Sequence, residues 1–140
     1  MKAQFTQKDA ITPGLRARIR RLDGAGRTAA MEVMGIVVQT AAREAFTDES
    51  QRVAPWPAKN DGSEATLVET TALIHSLRVE ATARVVEVGS DRVYALTHQL
   101  GDDSRGIPAR PYLPVVGGEL TAQVREDIVS ALGDWLDAEG

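Results

Sequence analysis

The 140-residue sequence predicts an α+β fold in which a small antiparallel β-sheet, with a hairpin at its centre, packs against a long N-terminal helix and a C-terminal helix. Three observations predict it. Leu77, Val79 and Ala81, then Val86 and Val88, alternate with polar neighbours, the period of half-buried strands. Met31, Met34, Val38, Ala41, Ala42 and Ala45 recur at three- and four-residue steps, as along one face of a helix. Leu120, Val124, Ile128, Leu132 and Trp135 make a second such stripe with acids outside it.

Taken in order, Thr12 followed by Pro13 reads as an N-cap with proline at the first helical position. Leu15, Ile19 and Leu22 then share one face of a short amphipathic helix ending near Asp23-Gly24. Thr28 is expected to cap the long helix, which runs to Thr47. Its interior Gly35 costs about 1 kcal/mol against alanine unless another element packs closely there. From Asp48 to Glu64 the composition turns polar, with Trp56 between Pro55 and Pro57, and reads as a loop of about 17 residues. Connections are usually roughly 4 to 6 residues, so this one is functional or mobile. Ala65 to Leu73 fits either a short helix or an extended lead-in. Strands are expected over Ser76 to Ala83 and Arg84 to Gly89, turning near Thr82 to Arg84. Val93 to Leu100 reads as a short helix stopped by Gly101. Ile107 to Val116 reads as extended, and its prolines place it at a sheet edge. Glu119 to Ala138 is the last helix.

One domain covers residues 1–140, with a basic N-terminal helix or arm over 1–27 and the long loop over 48–64. Hydrophobic residues make up 43% but aromatics only 4%, so the core is built from Ala, Val, Leu and Ile. Trp56, Trp135, Tyr94, Tyr112, Phe5 and Phe46 therefore stand out. With no cysteine, the chain can form no disulfide, thiol nucleophile or cysteine-ligated zinc site. The longest nearly apolar run, Met34 to Val38, is far short of the roughly 20 residues that span a bilayer. The polar start shows no signal-peptide pattern, and a soluble protein of the cytosol is expected.

Net charge is −4 but unevenly spread. Lys2, Lys8, Arg16, Arg18, Arg20, Arg21 and Arg27 against Asp9 and Asp23 leave residues 1–30 at +5; Arg125 against Glu119, Glu126, Asp127, Asp134, Asp137 and Glu139 leaves 117–140 at −5. Ends of opposite sign suit contacts between copies, and also arise on solvated helix faces.

The candidate chemistry is sparse. His75 and His98 are the only histidines. Ser76 follows His75 directly, and strand geometry would send the two side chains to opposite faces, against a nucleophile and base pair. His98 can form an orienting pair with Asp102 or Asp103, or simply tie a helix end to a loop. Two scattered histidines supply too few ligands for a metal, and no cofactor is implied. Arg16, Arg18, Arg20 and Arg21 fit either contact with phosphates, as in a small nucleic-acid-binding or regulatory protein, or a solvated helix face. Pro108 and Pro111 stiffen the backbone around Arg110, which suits a bidentate contact to a carboxylate such as Asp127 or Asp134, of a neighbour or of the same chain. Trp56 is either a plug over the core or an anchor for a partner.

Two stretches carry a resemblance. Tyr94-Ala95, His98-Gln99 and Gly101 are similar to the YAxxHQxG box of the phage virion morphogenesis family, and Ile107-Pro108-Ala109-Arg110-Pro111-Tyr112-Leu113 is similar to its IPARPFLG box with tyrosine for phenylalanine. Pro114 and Val115 follow where that pattern has glycine, and Thr70-Thr71-Ala72-Leu73 has alanine for the glycine of a Thr-Gly-x-Leu turn. The resemblance extends from Met31 to Leu136. It implies a Mu-like tail-completion or head-tail joining protein, structural and not an enzyme. Copies would form an oligomer, such as a ring, meeting tail-tube or connector proteins and in places phage DNA, with no membrane involved. Such a protein assembles in the bacterial cytoplasm and ends in the virion. Tyr94, His98, Gln99, Ile107, Pro108, Arg110, Pro111, Tyr112 and Trp56 are the expected interface residues, and Arg16, Arg18, Arg20 and Arg21 the DNA-facing ones.

Overall fold

The computed structural model describes residues 2–57 and 70–139, and of Thr70, Val93 and Glu139 the backbone alone. It is built around one long helix, α3 (Gly24–Glu44); the elements before it are β1 (Lys2–Phe5), α1 (Gln7–Ala10) and α2 (Pro13–Arg20). As the sequence predicts, Thr12 caps α2, its hydroxyl accepting the Leu15 N–H at 3.3 Å with Pro13 at the first position. The expected cap of α3 is corrected. Asp23, an equal or better N-cap than threonine, stands five residues earlier and accepts the Gly26 N–H at 2.7 Å. Thr28 lies inside the helix and donates its hydroxyl to the Gly24 carbonyl at 3.1 Å.

After the loop come α4 (Thr70–Ser76), β2 (Arg78–Ala81), β3 (Val86–Gly89) and α5 (Val93–Leu100). The expected hairpin is present, closed by the Thr82 N–H on the Val85 carbonyl at 2.9 Å. Its first strand starts later than expected because α4 runs through Ser76. His75 and Ser76 are therefore helical, and the Ser76 hydroxyl meets the Leu73 carbonyl at 2.7 Å and the Ser90 hydroxyl at 2.6 Å. The expected reading of 65–69 lies outside the described residues.

The antiparallel sheet has the order β1-β3-β2, so β3 is central. Its third strand is β1, which pairs Ala3 with Val88 and Phe5 with Val86. The expected edge strand over Ile107 to Val116 is not part of this sheet. Pro108, Pro111 and Pro114 donate no backbone hydrogen bond, and the segment instead makes one bridge, Asp102 to Ile107, before β4 (Val115–Val116) folds back on β5 (Glu119–Leu120). Gly117 and Gly118, at φ of +61° and +81°, make that two-residue turn. The last helix, α6 (Ala122–Glu139), starts three residues later than expected, with Thr121 accepting the Val124 N–H at 3.2 Å.

α3 lies across the sheet and against α6. Met31, Met34, Val38, Val86, Val88, Ile128 and Leu132 are fully buried together, and each large side chain there contributes roughly 1.5–3 kcal/mol. Gly35 is where the sheet comes closest: a Cβ there would overlap the Val79 side chain and reach Val86 Cγ1 at 2.8 Å. A second cluster, Ala42, Ala45, Phe46, Leu73, Leu77, Ala95, Tyr112 and Leu113, sits at the far end of α3. The opposite charges of the chain's two ends meet within the molecule, where Arg18 of α2 pairs with Asp137 of α6 at 2.9 Å.

Candidate functional site

The two motif stretches form one structural unit over the second cluster. Ala95 and Gln99, one turn apart on α5, face inward, and Gly101 ends the helix at φ +73°. Its missing Cβ is what lets the chain return: a β-carbon would lie 2.6 Å from the Ala109 nitrogen and 2.7 Å from the Ile107 carbonyl oxygen. Asp102 and Ile107 then exchange backbone hydrogen bonds at 2.8 and 2.9 Å, and the Arg110 N–H donates to the His98 carbonyl at 2.8 Å. Gln99 supplies the central tie. Its Oε1 accepts the N–H groups of Tyr112 at 2.9 Å and Leu113 at 3.1 Å, while the Tyr112 hydroxyl donates to the Ala95 carbonyl at 3.3 Å.

The start of the long loop is fastened onto this unit. Trp56 Nε1 donates to the Pro111 carbonyl at 2.9 Å, and Arg110 donates through Nε and Nη2 to the Pro57 carbonyl at 3.1 and 3.0 Å. Among the contacts described, the Arg110 guanidinium thus forks onto a backbone oxygen. Arg52 lies over the Trp56 ring at 3.9 Å, within cation-π range, and donates to the Ala45 carbonyl at 2.6 Å.

His98 is enclosed by rings. Trp56, Phe46 and Tyr112 lie 5.1, 5.4 and 5.5 Å from it between centroids. Neither ring nitrogen has a hydrogen-bond partner among the described residues. Of the two readings of His98, the pair with Asp102 or Asp103 is not formed. Asp102 accepts from Ser104 and Arg105 instead, and these bonds hold its carboxyl down at about 2, while His98 meets Arg110, on the strap formed by residues 107–114, through its backbone carbonyl. Burial pushes the imidazole down to about 4, opposed in part by the Arg110 backbone and reinforced by the Arg110 and Arg52 charges. Burial likewise pushes the Tyr112 phenol up to about 12.

A neutral buried histidine has a measurable consequence. The unfolded ring takes up a proton below about pH 6.5 while the folded one stays neutral to about 4, so the contribution is complete above 6.5 and is lost as pH falls through that window. The expected slope is at most about 1.4 kcal/mol per pH unit, reduced because the residue is not wholly shielded from solvent. Urea unfolding at stepped pH should show wild type losing stability against His98→Phe between pH 6.5 and 4.

The remaining candidates are placed as follows. Tyr112 is 1% exposed and Gln99 7%, so both act from inside the monomer; Ile107, Arg110, Pro111 and Trp56 are half-buried, and Pro108 is exposed. Tyr94 is 42% exposed. Also on α5 are two residues outside the motif, Leu96 at 49% and Leu100 at 59%, whose four-residue spacing sets them on one flank, about 100° round the helix from Ala95 and Gln99, as an unburied apolar face. Arg20 and Arg21 are exposed and Arg16 half-buried, whereas Arg18 is held by Asp137. Among the described residues no group of three His, Cys, Asp or Glu could hold a metal, and no helix is long and apolar enough to cross a membrane.

The model of the phage virion morphogenesis family matches residues 7–137, which includes both motif stretches and every helix of the two clusters. The chain belongs to that family. Its role is therefore in the structure or assembly of a phage particle. No curated protein and no solved structure matches the chain. The unit formed by α5 and the segment after it joins a backbone fixed by Gln99 to the exposed side chains of Leu96 and Leu100.

Proposed function

We propose that this protein completes the phage tail, or contributes to the head-tail connection, by binding copies of itself and neighbouring tail or connector proteins, with no bond made or broken. One observation carries this reading: a rigid unit, locked by Gln99 and Gly101, leaves Tyr94, Leu96 and Leu100 exposed on one short helix. The exposed Pro108 and Ala109 lie against Gly101, the residue after Leu100, and extend that surface. Because its backbone is already fixed, little ordering free energy is lost on docking, and apolar side chains held in that way are what interfaces bury. Pro57 and Trp56, fastened from behind by Arg110 and Pro111, hold the strap in place.

Self-association tests this. Wild type should form a discrete oligomer by light scattering, and Leu96→Asp with Leu100→Asp should shift it to monomer, at least a tenfold weakening, with an unchanged thermal melt. Arg110→Ala should weaken assembly less, by loosening the loop. An unchanged oligomer mass in the double variant contradicts the proposed face.

A further inference from the structure

The sheet has an open edge. β1 pairs with β3 on one side, and its other side has no strand or hydrogen-bond partner among the described residues. Such edges are commonly guarded by a lysine or a proline. Here Lys2, the only charge on β1, is turned across the sheet to Asp91, Glu80 and Glu87 at 3.2, 3.8 and 3.9 Å, and guards nothing.

The open side of β1 lines a cleft of about 430 Å³, whose opposite wall is the β4–β5 hairpin with Leu113. Ala3, Phe5 and Leu120 give it an apolar lining. Toward α1 and α6 it continues into a shallower depression of about 600 Å³, and the two share Lys8, Asp9 and Arg125. Asp9 is already engaged, accepting the Thr6 N–H at 2.9 Å and its hydroxyl at 3.0 Å. Lys8 and Arg125 belong to none of the ion pairs among the described residues, and Glu119 and Glu126 on the rims do not approach either within 4 Å. Two cations outside any ion pair among the described residues therefore stand, with Asp9 beside them, at the junction of a partly apolar slot with an unpaired strand edge.

We propose that this cleft receives an extended, acidic segment of the tail protein on which the chain assembles, laid beside β1 as a fourth strand with a carboxylate meeting Lys8 and Arg125. This rests on the tail-completion reading above. Backbone hydrogen bonds to a strand edge supply affinity and flanking pockets supply selectivity, while the two cations select for acid. A second copy fits the slot less well. Its β1, Lys2-Ala3-Gln4-Phe5, carries no carboxylate to meet Lys8 and Arg125, and the other edge, β2, runs parallel to β1 in a continuing sheet, the less stable pairing.

Amide hydrogen exchange on the full chain, free and bound to incomplete tails from a phage lacking it, tests the proposal. Exchange over residues 2–5 and 115–120 should slow at least tenfold on binding, and Lys8→Glu with Arg125→Glu, both exposed sites, should weaken binding at least tenfold with an unaltered melt. Binding without slowing at 2–5, or unchanged affinity after charge reversal, overturns it, as does slowing at 2–5 on concentrating the chain alone, which would give the cleft to a second copy. Failure to bind incomplete tails at all would instead overturn the tail-completion reading.

Discussion

Gly101→Ala is expected to destabilise the protein by roughly 3–4 kcal/mol, a large effect for the addition of one methyl group. The residue combines φ +73° with ψ −176°, a region populated essentially by glycine, which alone costs an L-residue about 1–3 kcal/mol. The added methyl also meets backbone. The Ala109 nitrogen, the Ile107 carbonyl oxygen and the Pro108 carbonyl carbon lie 2.6, 2.7 and 3.0 Å from its position, and none can rotate away. Gly106 is the internal control. It too has a positive φ, +67°, but nothing lies within 4 Å of its Cβ position, so Gly106→Ala should cost only about 1 kcal/mol. Urea unfolding of both variants separates conformational strain from the closeness of the strap.

Gln99→Leu should cost about 2–4 kcal/mol although it replaces a side chain by an apolar one of similar size. The loss comes from Tyr112 and Leu113, whose buried N–H groups donate to the one Gln99 oxygen and have no other acceptor in the hydrogen bonds described. Leaving a buried donor unmet costs about 1–3 kcal/mol each. Hydrogen exchange should show the amides of Tyr112 and Leu113 accelerated well beyond the global change, and Gln99→Glu, which keeps the acceptor, should restore part of their protection. Equal acceleration across the chain would mean that Gln99 is no more than filler.

Periodicity is what made most of the fold legible. Met31 to Ala45, Val79 to Val88 and Leu120 to Trp135 each repeat often enough to fix element type and buried face. β1 is not legible in the sequence because two inward residues, Ala3 and Phe5, make too short an alternation to stand out, and only pairing with β3 makes it a strand. The cap of α3 was misplaced because Gly24-Ala25-Gly26 looks like a break, yet Asp23 satisfies the first turn and tertiary packing carries the glycines. Ile107 to Val116 is legible as extended, but not as lying off the three-stranded sheet, since nothing local in three prolines says that a glutamine oxygen will hold the segment.

At the site, the motif residues were recognisable but their division of labour was not. Gln99 and Tyr112 stood beside Tyr94 as interface candidates, and burial separates them into lock and surface. That separation depends on contacts between distant parts of the chain, such as Trp56 on Pro111 and Arg110 on Pro57, which no spacing rule encodes. Leu96 and Leu100 are legible in the sequence as two apolar residues four apart on a different flank of the helix from Ala95 and Gln99.

The most direct test of the tail-completion role is electron microscopy of lysates from a phage whose copy of this chain has been deleted, with and without the chain supplied in trans. Filled heads accompanied by incomplete or unjoined tails, restored to whole virions by wild type but not by Leu96→Asp with Leu100→Asp, is the expected result. Normal, infectious virions in the deletion would contradict it.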